Sequence, residues 1–266
     1  MGLYTSPHLK VVQERIQINS QPLQKDLFAR YVLEVWSQLD TGGLPKPRYL
    51  QLLMLVAVHT FIRENVDVAV CETHNGGEYD ATNIFAHPIA TGITTIGMDH
   101  VLQLGPTLEN IAWHKSGIFK SGTPAFSIGQ GDQATTVLRR RANGKTVSLE
   151  FVDNDTVNNS DVLAMKTTVQ RKNASLAQRL ANAFLRQKEP TSCPMLTTDD
   201  IRQGAEQFNW RGRFQQVIHG NHTWFLDGAH NEMSVPYAAQ WFAEVVAENG
   251  YVKRDCGELM YTDSGN

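Results

Sequence analysis

The chain has 266 residues, 41% apolar and 19% charged, with 24 Lys and Arg against 27 Asp and Glu for a formal net charge of −3. Those proportions belong to a folded globular protein and exclude a disordered tail, a collagen and a coiled coil. No apolar run reaches the roughly 18 residues of a membrane helix, and a near-neutral charge gives no general field for holding a polyanion. Neither a membrane span nor nucleic acid is therefore expected.

The segment after Met1, Gly-Leu-Tyr-Thr-Ser-Pro-His-Leu, reads as neither a secretory signal nor an Arg-rich transit peptide. Leu27, Phe28, Tyr31, Val32, Val35, Trp36 and Leu39 recur at steps of three and four, which predicts a helix. Thr41-Gly-Gly-Leu-Pro-Lys-Pro breaks it, and Tyr49 to Glu64, apolar nearly all round, predicts a second, buried helix. Val66 to Cys71 and Ile89 to Ile96 read as short buried strands, Thr107 to Phe119 as a helix and Pro124 to Ile128 as another strand. This alternation predicts an α/β layered domain.

Residues 129 to 172 carry little periodicity, and the run Arg139-Arg-Arg and the polar stretch Asp153 to Asp161 read as solvated faces. Asn173 to Lys188 predicts an amphipathic helix, and Thr197-x-x-Asp200 a capped one ending at Phe208. Arg213 to Ile218 and Thr223 to Leu226 read as a hairpin turning at Gly220-Asn221, and Glu232 to Val246 as a last helix. Tyr251 to Asn266 reads as a loose polar tail. Cys71, Cys193 and Cys256 are odd in number and too widely spaced for a CxxC pair, as in a reducing compartment, so the expected address is the cytosol.

Working residues of open α/β sheets gather beyond the carboxyl ends of the strands. Glu72 follows the first predicted strand and precedes Gly76-Gly77, a pair that lets backbone approach a ligand closely. Asp99-His100 follows the second, and Asp227-Gly-Ala-His230 follows the hairpin. One carboxylate with one imidazole is a sparse shell for a hard cation and points to a metal completed by nucleotide phosphate. Plainer readings stand beside this: Glu72 as a helix cap, His100 as a turn histidine, Asp227 to His230 as a local turn, Lys115 as a solvated helical charge, Arg213 as a surface ion pair and Cys71 as a buried strand residue. Spacing alone favours them.

Seven blocks in order carry a resemblance. They are Gly2-Leu-Tyr-Thr-Ser-Pro-His-Leu with Glu14-Arg-Ile-x-Ile-Asn, Gly76-Gly-Glu-Tyr-Asp-Ala-Thr-Asn, Gly97-Met-Asp-His-x-x-x-Leu-Gly, Ile111-Ala-Trp-His-Lys-x-Gly-Ile-Phe-Lys, Asn173-Ala-Ser-Leu-Ala, Trp210-x-Gly-Arg and Asp227-Gly-Ala-His. Together they resemble folylpolyglutamate synthase of the fungal type, one of the Mur ligase-like enzymes, over residues 2 to about 245.

The resemblance implies an ATP-dependent carboxylate–amine ligase that phosphorylates the terminal carboxylate of tetrahydrofolate and lets L-glutamate displace the phosphate in a γ-linked amide. It implies ATP and Mg²⁺, and leaves room for a monovalent cation. Glu72 and His100 match metal positions, and Lys115 matches a lysine carried as a carbamate; Lys115 and His100 are the candidate catalytic residues. Asn173, Arg213, Asp227 and His230 match nucleotide contacts, and Thr5, Ser6, Pro7 and His8 the loop beside the folate. The fold implied is an incomplete Mur ligase-type central ATPase domain with a mostly parallel sheet flanked by helices. It would span residues 1–230, with 231–266 the start of a truncated C-terminal domain and the polar tail. The family also admits a mitochondrial address.

Four departures bear on this. The family's phosphate loop, Gly-Thr-x-Gly-Lys-Gly-Ser, lies upstream of the first block and a further domain lies downstream of the last, so a doubly truncated, impaired ligase with an exposed sheet edge open to association is expected. His74-Asn75-Gly76-Gly77 stands where the family has Gly-x-Gly-Gly, and Thr167-Thr-Val-Gln170 where it has Gly-x-His-Gln. Two other readings follow: a truncated paralogue joining another acid to another amine in fungal secondary metabolism, and a non-catalytic folate-binding or assembly module.

Overall fold

The computed structural model describes residues 1–39, 42–43, 45–152, 162, 164–192 and 194–249. Asp153 to Asp161, Cys193, Cys256 and the tail Tyr251 to Asn266 lie outside them. Two compact units result, one ending at Phe208 and the other beginning at Asn209, whereas the family-based boundary at 230 falls inside the second.

The first unit opens with three strands absent from the sequence-based expectation: β1 (Gly2–Tyr4), β2 (Ile16–Ile18) and β3 (Gln21–Pro22). Helices α1 (Lys25–Gln38) and α2 (Tyr49–Arg63) follow, then β4 (Ala69–Cys71). The sheet order is β3-β2-β1-β4, antiparallel except for the parallel pair β1–β4. Tyr4, Ile16, Phe28, Tyr31, Met54, Val56 and Phe61 belong to its core; the stripe predicted for α1 meets the sheet, whereas α2, expected to be buried all round, buries one face and leaves Tyr49, Leu55 and Ile62 exposed.

Next come β5 (Thr91–Ile93), α3 (Val101–Leu104), α4 (Leu108–Lys115), which runs into a 3₁₀ turn at Ser116–Ile118, β6 (Ala125–Ile128), α5 (Asp132–Gly144) and β7 (Leu149–Val152). Strands β5, β6 and β7 are all parallel. Side chains alternate across them as the pleat requires: Ala125 joins Ile111, Ala112, Val137 and Leu138, while Phe126 and Ile128 meet Leu176 and Leu180 of α6 (Thr168–Lys188). Helices therefore flank the parallel sheet, as the fold class expected. Helix α7 (Thr198–Gln207) starts at the predicted cap, with the Asp200 amide donating to Thr197 Oγ1 at 3.2 Å.

The second unit pairs β8 (Gln215–His219) with β9 (His222–Leu226) and continues into α8 (Val235–Asn249). Gly220 holds a φ of +58° at the turn, a conformation glycine adopts without a Cβ penalty. Trp241 of α8 is buried edge-on against Phe214 and Phe225.

Candidate active site

Strands β1 and β4 run side by side with Tyr4 opposite Cys71, so the segments leaving them emerge at one end of the sheet. There the Glu72 amide donates to the Tyr4 carbonyl at 2.9 Å, and Glu72 Oε2 accepts from the Ser6 amide at 2.9 Å. The Thr5–His8 loop thus stands on Glu72. Thr5 is buried and its amide donates to the Arg15 carbonyl at 2.9 Å, while Pro7 is exposed. The far side of the loop is gathered by Glu14, whose carboxylate accepts from the amides of Leu9 at 2.8 Å and of Lys10 and Val11 at 3.1 Å. Burial raises the Glu14 pKa, and those three amides more than reverse it, leaving it below the ordinary value. Buried Arg15 donates through Nε to His8 Nδ1 at 3.0 Å, which makes Nδ1 the unprotonated nitrogen of that ring.

Behind the loop runs a buried polar chain. The Tyr4 hydroxyl lies 2.6 Å from His74 Nε2, and His74 Nδ1 lies 3.0 Å from Asp80 Oδ1. The side chains of His74 and Asp80 are 4% and 6% exposed. An ionised carboxylate only accepts, so Nδ1 carries the proton and, in the neutral ring, Nε2 accepts from Tyr4. Asp80 also accepts from the Asn75 amide at 3.0 Å and from the amide and hydroxyl of Thr82 at 2.9 Å each. Burial alone would raise its pKa, but the bonds from His74, Thr82 and Asn75 hold it well below the carboxylate range. Burial pushes the Tyr4 hydroxyl up to about 12, against the opposing charge of Arg15, so it stays protonated at neutral pH.

Lys115 ends α4. Burial lowers its pKa, and the negative charges of Asp99 and Asp80 oppose that shift, so its ammonium lies in the field of both turns. Two glycines bring this helix end to the Glu72 loop. A Cβ on Gly77 would collide with the carbonyls of His114 and Lys115, and one on Gly117 with the backbone of Glu78. The Glu78 amide donates to the His114 carbonyl at 2.8 Å. The close approach expected of the Gly76-Gly77 pair is therefore to a helix terminus of the chain itself. His100, exposed, sits in the left-handed region with φ 50° and ψ 37° at the start of α3. Its amide donates to Asp99 Oδ1 at 2.9 Å, and its Nε2 is 3.8 Å from Asp99 Oδ2.

Asn173 is exposed on α6. In the second unit, Asp227 Oδ2 accepts from the Phe214 amide at 2.7 Å and Oδ1 from the Ala229 amide at 2.8 Å, tying the hairpin's two ends together. His230 donates from Nδ1 to the Gly228 carbonyl at 2.9 Å, and exposed Arg213 donates to the Gly212 carbonyl at 3.2 Å and lies against Gly228. The local-turn reading of Asp227 to His230 thus describes their contacts. Cys71 is half-buried in β4, and burial pushes its thiol up to about 11.

Sequence reasoning assigned no role to Tyr4, Glu14, Arg15, His74 or Asp80. The usable signals were the histidine two residues past Glu72 and the Asp-x-Thr triplet at Asp80, a side-chain turn pattern.

No family model matches the chain. It is 45% identical over 256 residues to the folylpolyglutamate synthase of Neurospora crassa, covering 92% of this chain and 48% of the relative. The Mycobacterium tuberculosis folylpolyglutamate synthase complexed with ADP aligns with a TM-score of 0.80 at 27% identity, over 91% of this chain and 59% of that one. An FPGS–AMPPCP–folate complex, 24% identical, shares the fold with a TM-score of 0.75 over 92% of this chain and 64% of its own. The chain spans about half the length of the curated relatives it matches. Over nine-tenths of its length the chain is homologous to folylpolyglutamate synthases and shares their fold.

Proposed function

We propose that this chain carries part of the active centre of an ATP-dependent ligase that joins L-glutamate to tetrahydrofolate through a γ-linked amide. The supporting observation lies at the strand tips: the Ser6 amide bonds the Glu72 carboxylate, and the charges of Asp99 and Asp80 act on Lys115. Relatives named as folylpolyglutamate synthase, and family structures described with ADP or with AMPPCP and folate, support ATP and folate as its ligands.

A carboxylate is a poor acyl donor until its oxygen becomes a leaving group. Transfer of the terminal phosphoryl of ATP gives an acyl phosphate and ADP; the glutamate amine then attacks the carbonyl carbon, phosphate departs and the amine loses a proton. Glu72 and His100 are the proposed metal ligands. Among the described residues no group of three or more His, Cys, Asp or Glu is placed to hold a metal. One exposed carboxylate and one exposed imidazole fit a cation shared with nucleotide phosphate rather than a closed protein cage. When bound, Mg²⁺ supplies neutralisation of the phosphate charge that shifts during transfer.

The chain's own residues do the positioning. The Thr5–His8 loop lies beside the folate; Lys115, as a carbamate, adds an anion near the metal; Asn173 is the nucleotide contact of the first unit, and Arg213, Asp227 and His230 are the candidate nucleotide-binding group of the second. The test is ATP-dependent release of phosphate by the purified chain with tetrahydrofolate and glutamate. Release requiring both substrates supports the ligase. Thermal stabilisation by tetrahydrofolate without release supports a folate-binding module in its place.

A further inference from the structure

Glu72 is fixed at two points, its amide on the Tyr4 carbonyl and its carboxylate under the Ser6 amide. Two residues on, the chain is pinned again to the same tyrosine, this time through its side chain: Tyr4 Oη to His74 Nε2 at 2.6 Å, with His74 Nδ1 held by Asp80 at 3.0 Å. Two of the three anchors of the Glu72–Thr73–His74 segment therefore lie on Tyr4 of the neighbouring strand, and the third on the Ser6 amide. Toward the carboxylate, which only accepts, the imidazole donates from Nδ1, and in the neutral ring its Nε2 accepts from the Tyr4 hydroxyl.

We propose that His74 is a positioning residue: braced between Tyr4 and Asp80, it closes the Glu72 segment onto β1 and presents the Glu72 carboxylate to a nucleotide-bound divalent cation. The inference rests on the reading of Glu72 as a metal ligand. The brace reaches further than Glu72. Tyr4 meets the Arg15 guanidinium, which holds His8 of the loop, and Asp80 acts electrostatically on Lys115. The polar chain Asp80–His74–Tyr4 thus continues through Arg15 to the proposed folate loop, and its tyrosine also holds the backbone of Glu72. Partners behind metal ligands act by fixing ligand orientation, and losing one typically weakens metal affinity about 10- to 100-fold.

The test is titration of the full chain with Mn²⁺ in the presence of ADP, following the free Mn²⁺ signal by electron paramagnetic resonance, with the melting temperature measured in parallel. Tyr4→Phe removes one hydroxyl and keeps the ring; His74→Gln keeps a polar group of similar reach. Each is expected to weaken Mn²⁺ uptake about tenfold or more. The double variant is expected to be no weaker than the worse single, because both cut the same connection. Variants that melt earlier yet bind Mn²⁺ as the parent does would overturn the proposal and leave His74 a stability clamp; additive losses in the double variant would overturn it as well. A parent chain that takes up no Mn²⁺ with ADP brings down the metal reading of Glu72 itself, and the brace with it.

Discussion

Replacing Asp80 by Asn tests whether the buried chain holds the first unit together. The change is nearly isosteric, yet Asp80 accepts four hydrogen bonds, from His74 Nδ1, the Asn75 amide, and the amide and hydroxyl of Thr82. An amide offers one oxygen and turns an NH₂ toward groups that donate. At least one bond to a charged acceptor is lost, at about 1.5–3 kcal/mol, and a buried donor is left facing a donor. The expected loss is about 3 kcal/mol at pH 7, which for a unit of this size lowers its melting temperature by roughly 6–12 °C. The pH dependence has a definite sign. The folded Asp80 pKa is depressed, so its contribution is complete above the unfolded value of about 3.9 and is lost as pH falls toward the folded one. Urea denaturation followed by circular dichroism from pH 7 to pH 3 should show parent and variant well separated at neutral pH and converging below about pH 4. A variant within about 0.5 kcal/mol of the parent at pH 7, or a gap that does not narrow in acid, would refute the reasoning.

Three further outcomes follow from the same geometry. Gly77→Ala places a methyl against the His114 and Lys115 carbonyls and should cost about 1–3 kcal/mol, read by chemical denaturation; a neutral result would mean the loop and α4 separate freely. Thr167→Ala removes the hydroxyl that accepts the Gln170 amide at 3.2 Å and should cost about 1 kcal/mol, with loss of amide exchange protection confined to the first turn of α6. Burial favours the neutral amine of Lys115, the form that reacts with CO₂, so ¹³C-bicarbonate should give a carbamate resonance that is missing in Lys115→Arg. The same resonance in both proteins would assign it elsewhere.

Elements whose apolar residues repeat were legible. Helices α1 and α2 lie within two residues of their predicted ends, and Thr197 caps α7 as expected. The strands β1, β2 and β3 span three, three and two residues, too short for an alternation to register. Helix α5 was hidden by its charge. Arg139 and Arg140 are exposed as a solvated face requires, but Arg141 turns inward to pair with Glu78 and stack on Trp113. Helix α6 begins five residues earlier than its apolar rhythm, because Thr167 and Gln170 form a reciprocal cap in the segment that departs from the family pattern. For the proposed site, the strand-tip rule pointed to Glu72 and the Asp99–His100 turn as candidates. It could not locate Tyr4 or Asp80, whose roles depend on partners 70 and 6 residues from them, both through His74.

The proposed active centre requires Glu72 and His100 to share one cation with a nucleotide. Electron spin-echo envelope modulation of Mn²⁺ bound with ADP reads this directly, because a coordinated imidazole nitrogen modulates the echo. The expected result is a nitrogen modulation that disappears in His100→Gln, together with loss of Mn²⁺ uptake in Glu72→Gln. Bound Mn²⁺ with no such modulation, or undiminished uptake by the Glu72 variant, would contradict it.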